Sequence, residues 1–178
     1  MNTFNSNLFS LALLLLILSA VMACLILYLT HSALQRWLRG PRGIESSNQS
    51  AAVLTAGILF SVGYLTSAAT QPLLATLRLL SARGLEMSSL LLQGGRYLFM
   101  LLGVGAVAAA LINVLALAFY TRLTRRTDEL AEVAQDNLAT GLTLAAVVVV
   151  VSLFAHDGVS LLLESLVPYP ELPGALIR

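Results

Sequence analysis

The sequence predicts an all-α integral membrane protein: four transmembrane helices arranged as two parallel-repeat hairpins. Three observations carry this reading. The chain is 58% hydrophobic and only 11% charged, with a mean hydropathy of +0.87. Soluble domains carry about 25% charged residues, so too little charge is present to clothe a water-facing surface, and lipid is the solvent that suits the composition. Four apolar stretches come near the roughly 20 residues that a helix needs to cross a ~30 Å hydrocarbon layer. Finally, residue n laid over residue n+89 matches those stretches in order.

The first span runs from Leu8 to Leu29 without a charge. The second runs from Ala51 to about Ala69 and is rich in small and hydroxyl residues. The third runs from Tyr97 to Tyr120, and the fourth from Leu138 to Phe154. Backbone in hydrocarbon must hydrogen-bond to itself, so each is read as a helix despite the β-branched run Val147 to Val151. Within the first span, Val21-Met22-Ala23-Cys24 loosely resembles a lipoprotein cleavage site. No basic residue precedes it and the apolar run continues through Leu25-Ile26-Leu27, so an uncleaved span is expected.

The 89-residue offset places Arg36 on Arg125 and Asn48 on Asn137, each Asn just before an Ala/Ser/Thr-rich helix start. Gly57 falls on Ala146, and Leu73, Leu74 and Leu77 fall on Leu162, Leu163 and Leu166. Each half holds an even number of spans and enters the membrane the same way, which defines parallel repeats. The chain, 1–178, is thus expected to be a single membrane domain. Repeat 1 covers about 8–80, repeat 2 covers about 97–167, and 168–178 forms a Pro-containing tail, expected to be extended.

Arginine sets the expected orientation. All ten basic residues are Arg. Arg36, Arg39 and Arg42 follow the first span, and Arg122, Arg125 and Arg126 follow the third. Arg78, Arg83, Arg96 and Arg178 fall on the other side. The excess places the first and third loops in the cytoplasm and both termini outside.

The stretch Asn48-Gln49-Ser50-Ala51-Ala52, followed by Gly57 and an uncharged helix, resembles a signature of domain-of-unknown-function family 350, which includes the YjfL-type bacterial inner membrane proteins. Asn137-Leu138-Ala139-Thr140-Gly141 resembles the same signature in the second half. The resemblance covers about Leu8 to Phe154. It implies a small four-span protein with a duplicated hairpin in the bacterial inner (plasma) membrane, and it brings no catalytic residues. The Pro-containing tail and the long segment between spans two and three depart from a plain family core.

Polar groups in and near the spans are the candidate functional residues. Asn48 and Asn137 suit helix N-caps, and the sharper reading makes them a facing pair that lines a polar vestibule. Asn113 is the amide well inside a span, read as packing glue bonded to a hydroxyl on a neighbouring helix. His156 and Asp157 fall near the outer boundary. Asp157 is expected to cap a turn starting at Gly158 and to pair with Arg96, and the sharp alternative is a proton relay through His156. The pair lacks further ligands at metal spacing. Gly57, Ser61, Tyr64 and Ala68 share one face of the second span, and Gly103, Gly105 and Ala109 mark the third. Such small faces let membrane helices approach closely.

Outside the spans, Pro72 suits the first turn of a new helix, and residues 72–82 and 158–167 are expected as interfacial helices or span extensions. Leu138 to Val167 as one helix exceeds the membrane thickness, so a break near Asp157-Gly158 is expected. Thr127 to Asp136 reads as a water-exposed continuation of the third helix.

A formal net charge of +1 gives no electrostatic case for nucleic acid. No nucleophile-base pair, Gly-x-Ser-x-Gly or metal cluster is visible, so no enzyme activity, cofactor or metal is expected. The leading expectation is a non-enzymatic membrane subunit that self-associates or serves another membrane or cytoplasmic protein. The alternative is an oligomeric channel or transporter for a small ion or solute.

Overall fold

The structure is a computed structural model that describes residues 6–42, 48–82, 87–124 and 128–167. Arg83, Arg125, Arg126 and the tail 168–178, with Arg178, lie outside the described residues. The described chain is helical: α1 (Ser6–Arg42), α2 (Gln49–Ser67), α3 (Thr70–Ala82), α4 (Met87–Leu123), α5 (Glu129–Ala134) and α6 (Leu138–Glu164). Four stretches are long and apolar enough to cross a membrane: Leu16–Arg39, Gln49–Leu80, Ser88–Leu123 and Leu138–Glu164.

α2 is the central helix, touching α1, α4, α5 and α6, and its broadest interface is with α6. The two run side by side in the same direction: Ser50 meets Gly141 near their starts, and Gly57 meets Ala145 further along. The core between α2, α4 and α6 is filled by Leu54, Leu65, Leu98, Leu101, Leu144 and Leu163, all fully buried. α1 lies at the edge. Only 6% of its apolar window is buried, against 56% for the Gln49–Leu80 span that α2 and α3 form.

The α2–α3 junction follows from Pro72. An uninterrupted helix would have the residue-72 N–H donate to the Ala68 carbonyl, and proline has no N–H. The chain tightens instead. The N–H of Ala68 donates to Leu65 O at 3.2 Å and that of Ala69 to Thr66 O at 3.1 Å, after which α3 resumes. At this end α3 pairs with the start of α4 through a small second core of Leu80 and Leu90, flanked by Leu77, Leu91 and Tyr97.

Four expectations are corrected. α1 runs on to Arg42, so Arg36, Arg39 and Arg42 sit on a helix and not in a loop. The third long helix starts at Met87, ten residues before Tyr97, because packing on α3 extends it. The segment after α4 is a separate short helix, α5, started by its own cap: the Asp128 side chain accepts from Ala131 N at 3.2 Å. α6 passes through Asp157 and Gly158 without a break. An interior glycine costs a helix only about 1 kcal/mol, no proline interrupts α6, and buried Val159 and Leu163 hold its last turns against the bundle.

Candidate functional site

The polar residues gather at three places: the start of α2 and α6, the interior of the bundle, and the opposite end near His156.

At the first, α2 begins against the end of α5. Helix starts leave unpaired N–H groups, and two of those in α2 are met by different halves of the chain. Asn48 Oδ1 accepts from Ala51 N at 2.6 Å, an N-cap. Asp136 Oδ1 accepts from Ser50 N at 2.8 Å. Asp136 is the one described non-glycine residue at positive φ, 62°. It occupies the position just past α5 where glycine usually ends a helix. Its N–H donates to Val133 O and the following Asn137 N–H to Glu132 O, the double bond of a Schellman motif. Left-handed backbone is costly for a residue with a Cβ, and Asp and Asn tolerate it better than most. An Asp here ends α5 and also presents a carboxylate to the positive end of the α2 dipole.

Asn48 does more than cap. Its amide donates to Val133 O at 2.7 Å and Ala134 O at 3.3 Å, and the residue is buried. Ser50 Oγ donates to Asn137 O at 2.7 Å. The second asparagine is placed differently: Asn137 caps α6 with a long 3.5 Å bond to Thr140 N, is exposed, and donates to Glu132 Oε2 at 3.1 Å. Thr140 Oγ1 donates to the same carboxylate oxygen. The two asparagines therefore occupy matching cap positions and do not bond to each other. The amide of Asn48 is committed to backbone carbonyls, so no facing pair lining a vestibule forms.

Above this clasp the helices touch at backbone distance. A Cβ on Gly57 would lie 2.7 Å from Ala145 Cβ and 2.9 Å from Ala145 Cα. One on Gly141 would lie 2.6 Å from Ser50 O. Gly105 packs on Leu163 and on the Thr66 backbone, and Ala109 is fully buried. Gly103 is a correction: it faces outward with nothing within 4 Å of its would-be Cβ, because it lies two residues from Gly105 and so points away from the packed face.

Inside the bundle, Ser61, Thr66 and Asn113 are buried and keep unpartnered polar atoms: the two hydroxyls and Asn113 Oδ1. Asn113 does not reach a hydroxyl on another helix as expected. Its amide donates to Ala109 O of its own helix at 2.7 Å. An open crevice of about 460 Å³ runs beside it between α1, α2 and α4.

At the far end the ring of His156 lies 4.5 Å from that of Tyr64, tilted by 36°, tying α6 to α2. His156 Nδ1 is 3.3 Å from Asp157 Oδ1. Asp157 is almost wholly exposed and inside α6, so it caps no turn. Arg96 forms no ion pair with Asp157. Among the described residues no three His, Cys, Asp or Glu side chains come together to hold a metal.

The sequence reading missed Ser50 and Asp136. The signal was present: Asp136-Asn137, two residues that favour caps and left-handed backbone, stand directly before an apolar run. That one would end a helix and cap a different one is a tertiary fact.

No curated protein and no solved structure matches the chain. The profile described as Domain of Unknown Function (DUF350) matches residues 3–159, which includes both asparagine caps, the Gly57 and Gly141 contacts, and Asn113. This chain, with four helical stretches long and apolar enough to cross a membrane, belongs to the DUF350 family.

Proposed function

We propose that the chain is a non-enzymatic subunit of the bacterial inner membrane that works by associating with further copies of itself. One observation carries this reading: the α2–α6 seam is sealed at backbone distance, while α1 leaves Leu16, Ile17, Val21, Leu25, Tyr28 and Leu29 exposed. In lipid, apolarity alone does not fix a helix; packing and hydrogen bonds do. α1 meets α2 and α4 over narrower interfaces than α2 shares with α6, and its open surface includes Val21, Cys24, Leu25 and Tyr28.

Cys24 is the single cysteine and is exposed on α1, which makes it a native reporter. Oxidative crosslinking in intact membranes is expected to give a disulfide dimer that Cys24→Ser removes. Monomers alone, both on oxidation at Cys24 and with a carboxyl-directed crosslinker, would refute self-association.

The architecture we infer is a duplicated hairpin with the helix starts of α2 and α6 in the cytoplasm and both termini outside. Asn48 and Asn137 capping α2 and α6, 89 residues apart, support the duplication. Arg36, Arg39 and Arg122 near that end, with Trp37 and Tyr120 beside them, support the orientation. A reporter fused after residue 178 that is active only outside the cytoplasm is expected.

The unpartnered Ser61, Thr66 and Asn113 favour a second reading, a channel or transporter for a small ion or solute. Four spans rarely enclose a pore by themselves, so this role requires an oligomer. Flux into liposomes under a voltage, pH or osmotic gradient tests it, and impermeable vesicles would remove it.

A further inference from the structure

We propose that Asp157 binds the primary ammonium headgroup of a membrane lipid, one of whose acyl chains lies in the groove between α1 and α2. The Asp157 side chain is 99% exposed, and it stands in a lipid-facing stripe of α6. Phe154, three residues before it, is 86% exposed, and Leu161, four residues after it, is 67% exposed. A carboxylate on the apolar face of a membrane-spanning helix is costly without a partner. Its polar contact is His156 Nδ1 at 3.3 Å, and among the described residues no arginine reaches it.

Depth names the class of partner. From Leu138, the first residue of α6, to Asp157 is roughly 28 Å of helix, close to the ~30 Å of the hydrocarbon layer. The carboxylate therefore faces the level at which lipid headgroups begin. Asp has too short a side chain to carry its charge far from that level, as Lys and Arg do. The positive groups that surround the protein there are lipid ammonium groups. A primary ammonium has three N–H donors for a carboxylate, and charge on both sides strengthens those bonds. A quaternary ammonium has no N–H to give.

The neighbouring rings connect the carboxylate to a place for the chain. The His156 ring packs 4.5 Å from that of Tyr64, and Tyr64 lies parallel to Phe60 with ring centres 6.2 Å apart. One imidazole thus links Asp157 to the aromatic wall of a groove of about 490 Å³, lined by Leu27, Leu59, Phe60, Gly63, Tyr64 and Ser67. From Ser67 to Leu59 the groove descends about two turns of α2 towards the membrane centre. An acyl chain hanging from a headgroup at Asp157 runs in that direction, and the apolar walls suit it. The inference rests on α6 crossing the membrane and not on self-association, so a crosslinking failure at Cys24 leaves it standing.

The full chain is placed in nanodiscs of phosphatidylethanolamine and phosphatidylcholine with the same acyl chains, in equal amounts. A lipophilic carbodiimide then joins any carboxylate to a primary amine lying against it. A phosphatidylethanolamine amide is expected at Asp157, several-fold above that at Glu164 further along α6. The chain has no lysine, so a second copy offers no side-chain amine in the lipid's place. Native mass spectrometry of the same protein is expected to retain phosphatidylethanolamine over phosphatidylcholine by roughly three- to tenfold. Asp157→Asn, close in shape and at an exposed position, is expected to erase that preference, and Asp157→Glu to keep it. An adduct at Asp157 no greater than at Glu164, as for a carboxylate that meets only water, overturns the proposal. So does equal retention of the two lipids, a preference that survives Asp157→Asn, or a protein dimer joined at Asp157, which would give the site to a second copy.

Discussion

α1 and α2 are both apolar helices of transmembrane length, and they do opposite things. The Leu16–Arg39 span of α1 has the higher hydropathy, 2.0 against 1.6 for the Gln49–Leu80 span that α2 begins, yet 6% of its window is buried against 56% for the latter. In water the more apolar helix would take the interior. In lipid, burial has no such reward, and the interior goes to the helix that can be approached most closely. α2 carries Ser50, Gly57 and Ser61 on its buried side, and α6 answers with Gly141, Ala145 and Ser152. Hydropathy therefore says which helices enter the membrane, and small residues say which of them meet.

The comparison breaks most easily at Gly141. Gly141→Leu is expected to separate α2 from α6, because its side chain would have to enter the Ser50 backbone. Overpacking of this kind costs ~1–3 kcal/mol and occasionally more, and the readout is loss of monodisperse protein after detergent extraction. Asn48→Ala comes next. It removes one cap and two donors to α5, with an expected loss of about 2 kcal/mol. Asn137→Ala removes only a long, exposed cap and is expected to cost about 0.5 kcal/mol. Thermal midpoints of the two variants in one detergent compare them directly.

Asp136→Gly sharpens the same contrast. Glycine relieves the left-handed backbone but removes the carboxylate from Ser50 N. Net destabilisation of about 1 kcal/mol is expected, and a gain would show that the clasp between α5 and α2 contributes little. The smallest effects belong to open positions. Gly103→Ala is expected to leave the midpoint unchanged or slightly raised, and Val21→Ala on α1 is expected to leave it unchanged within about 0.5 kcal/mol.

The sequence reading fared best where one residue type has one physical consequence. Lack of charge requires lipid, and an asparagine before an apolar run makes a cap. Pro72 forces the α2–α3 junction. It failed where a residue's meaning depends on what lies across from it. Gly103 and Gly105 look alike in sequence, and only the positions of Leu163 and Thr66 separate them. Gly158 looks like a break, and the buried neighbours Val159 and Leu163 keep it helical. The full role of Asp136 was invisible because its partner, Ser50, is 86 residues away.

The central claim is that α2 and α6 hold the bundle together by touching where side chains are smallest. A double-mutant cycle at Gly57 and Ala145 tests it most directly, with unfolding followed in detergent. Gly57→Ala alone is expected to lose about 1–3 kcal/mol. Adding Ala145→Gly clears the nearer clashing atom and is expected to recover at least 0.5 kcal/mol of that loss beyond additivity. Strictly additive losses, or a Gly57→Ala chain as stable as the native one, would contradict the account.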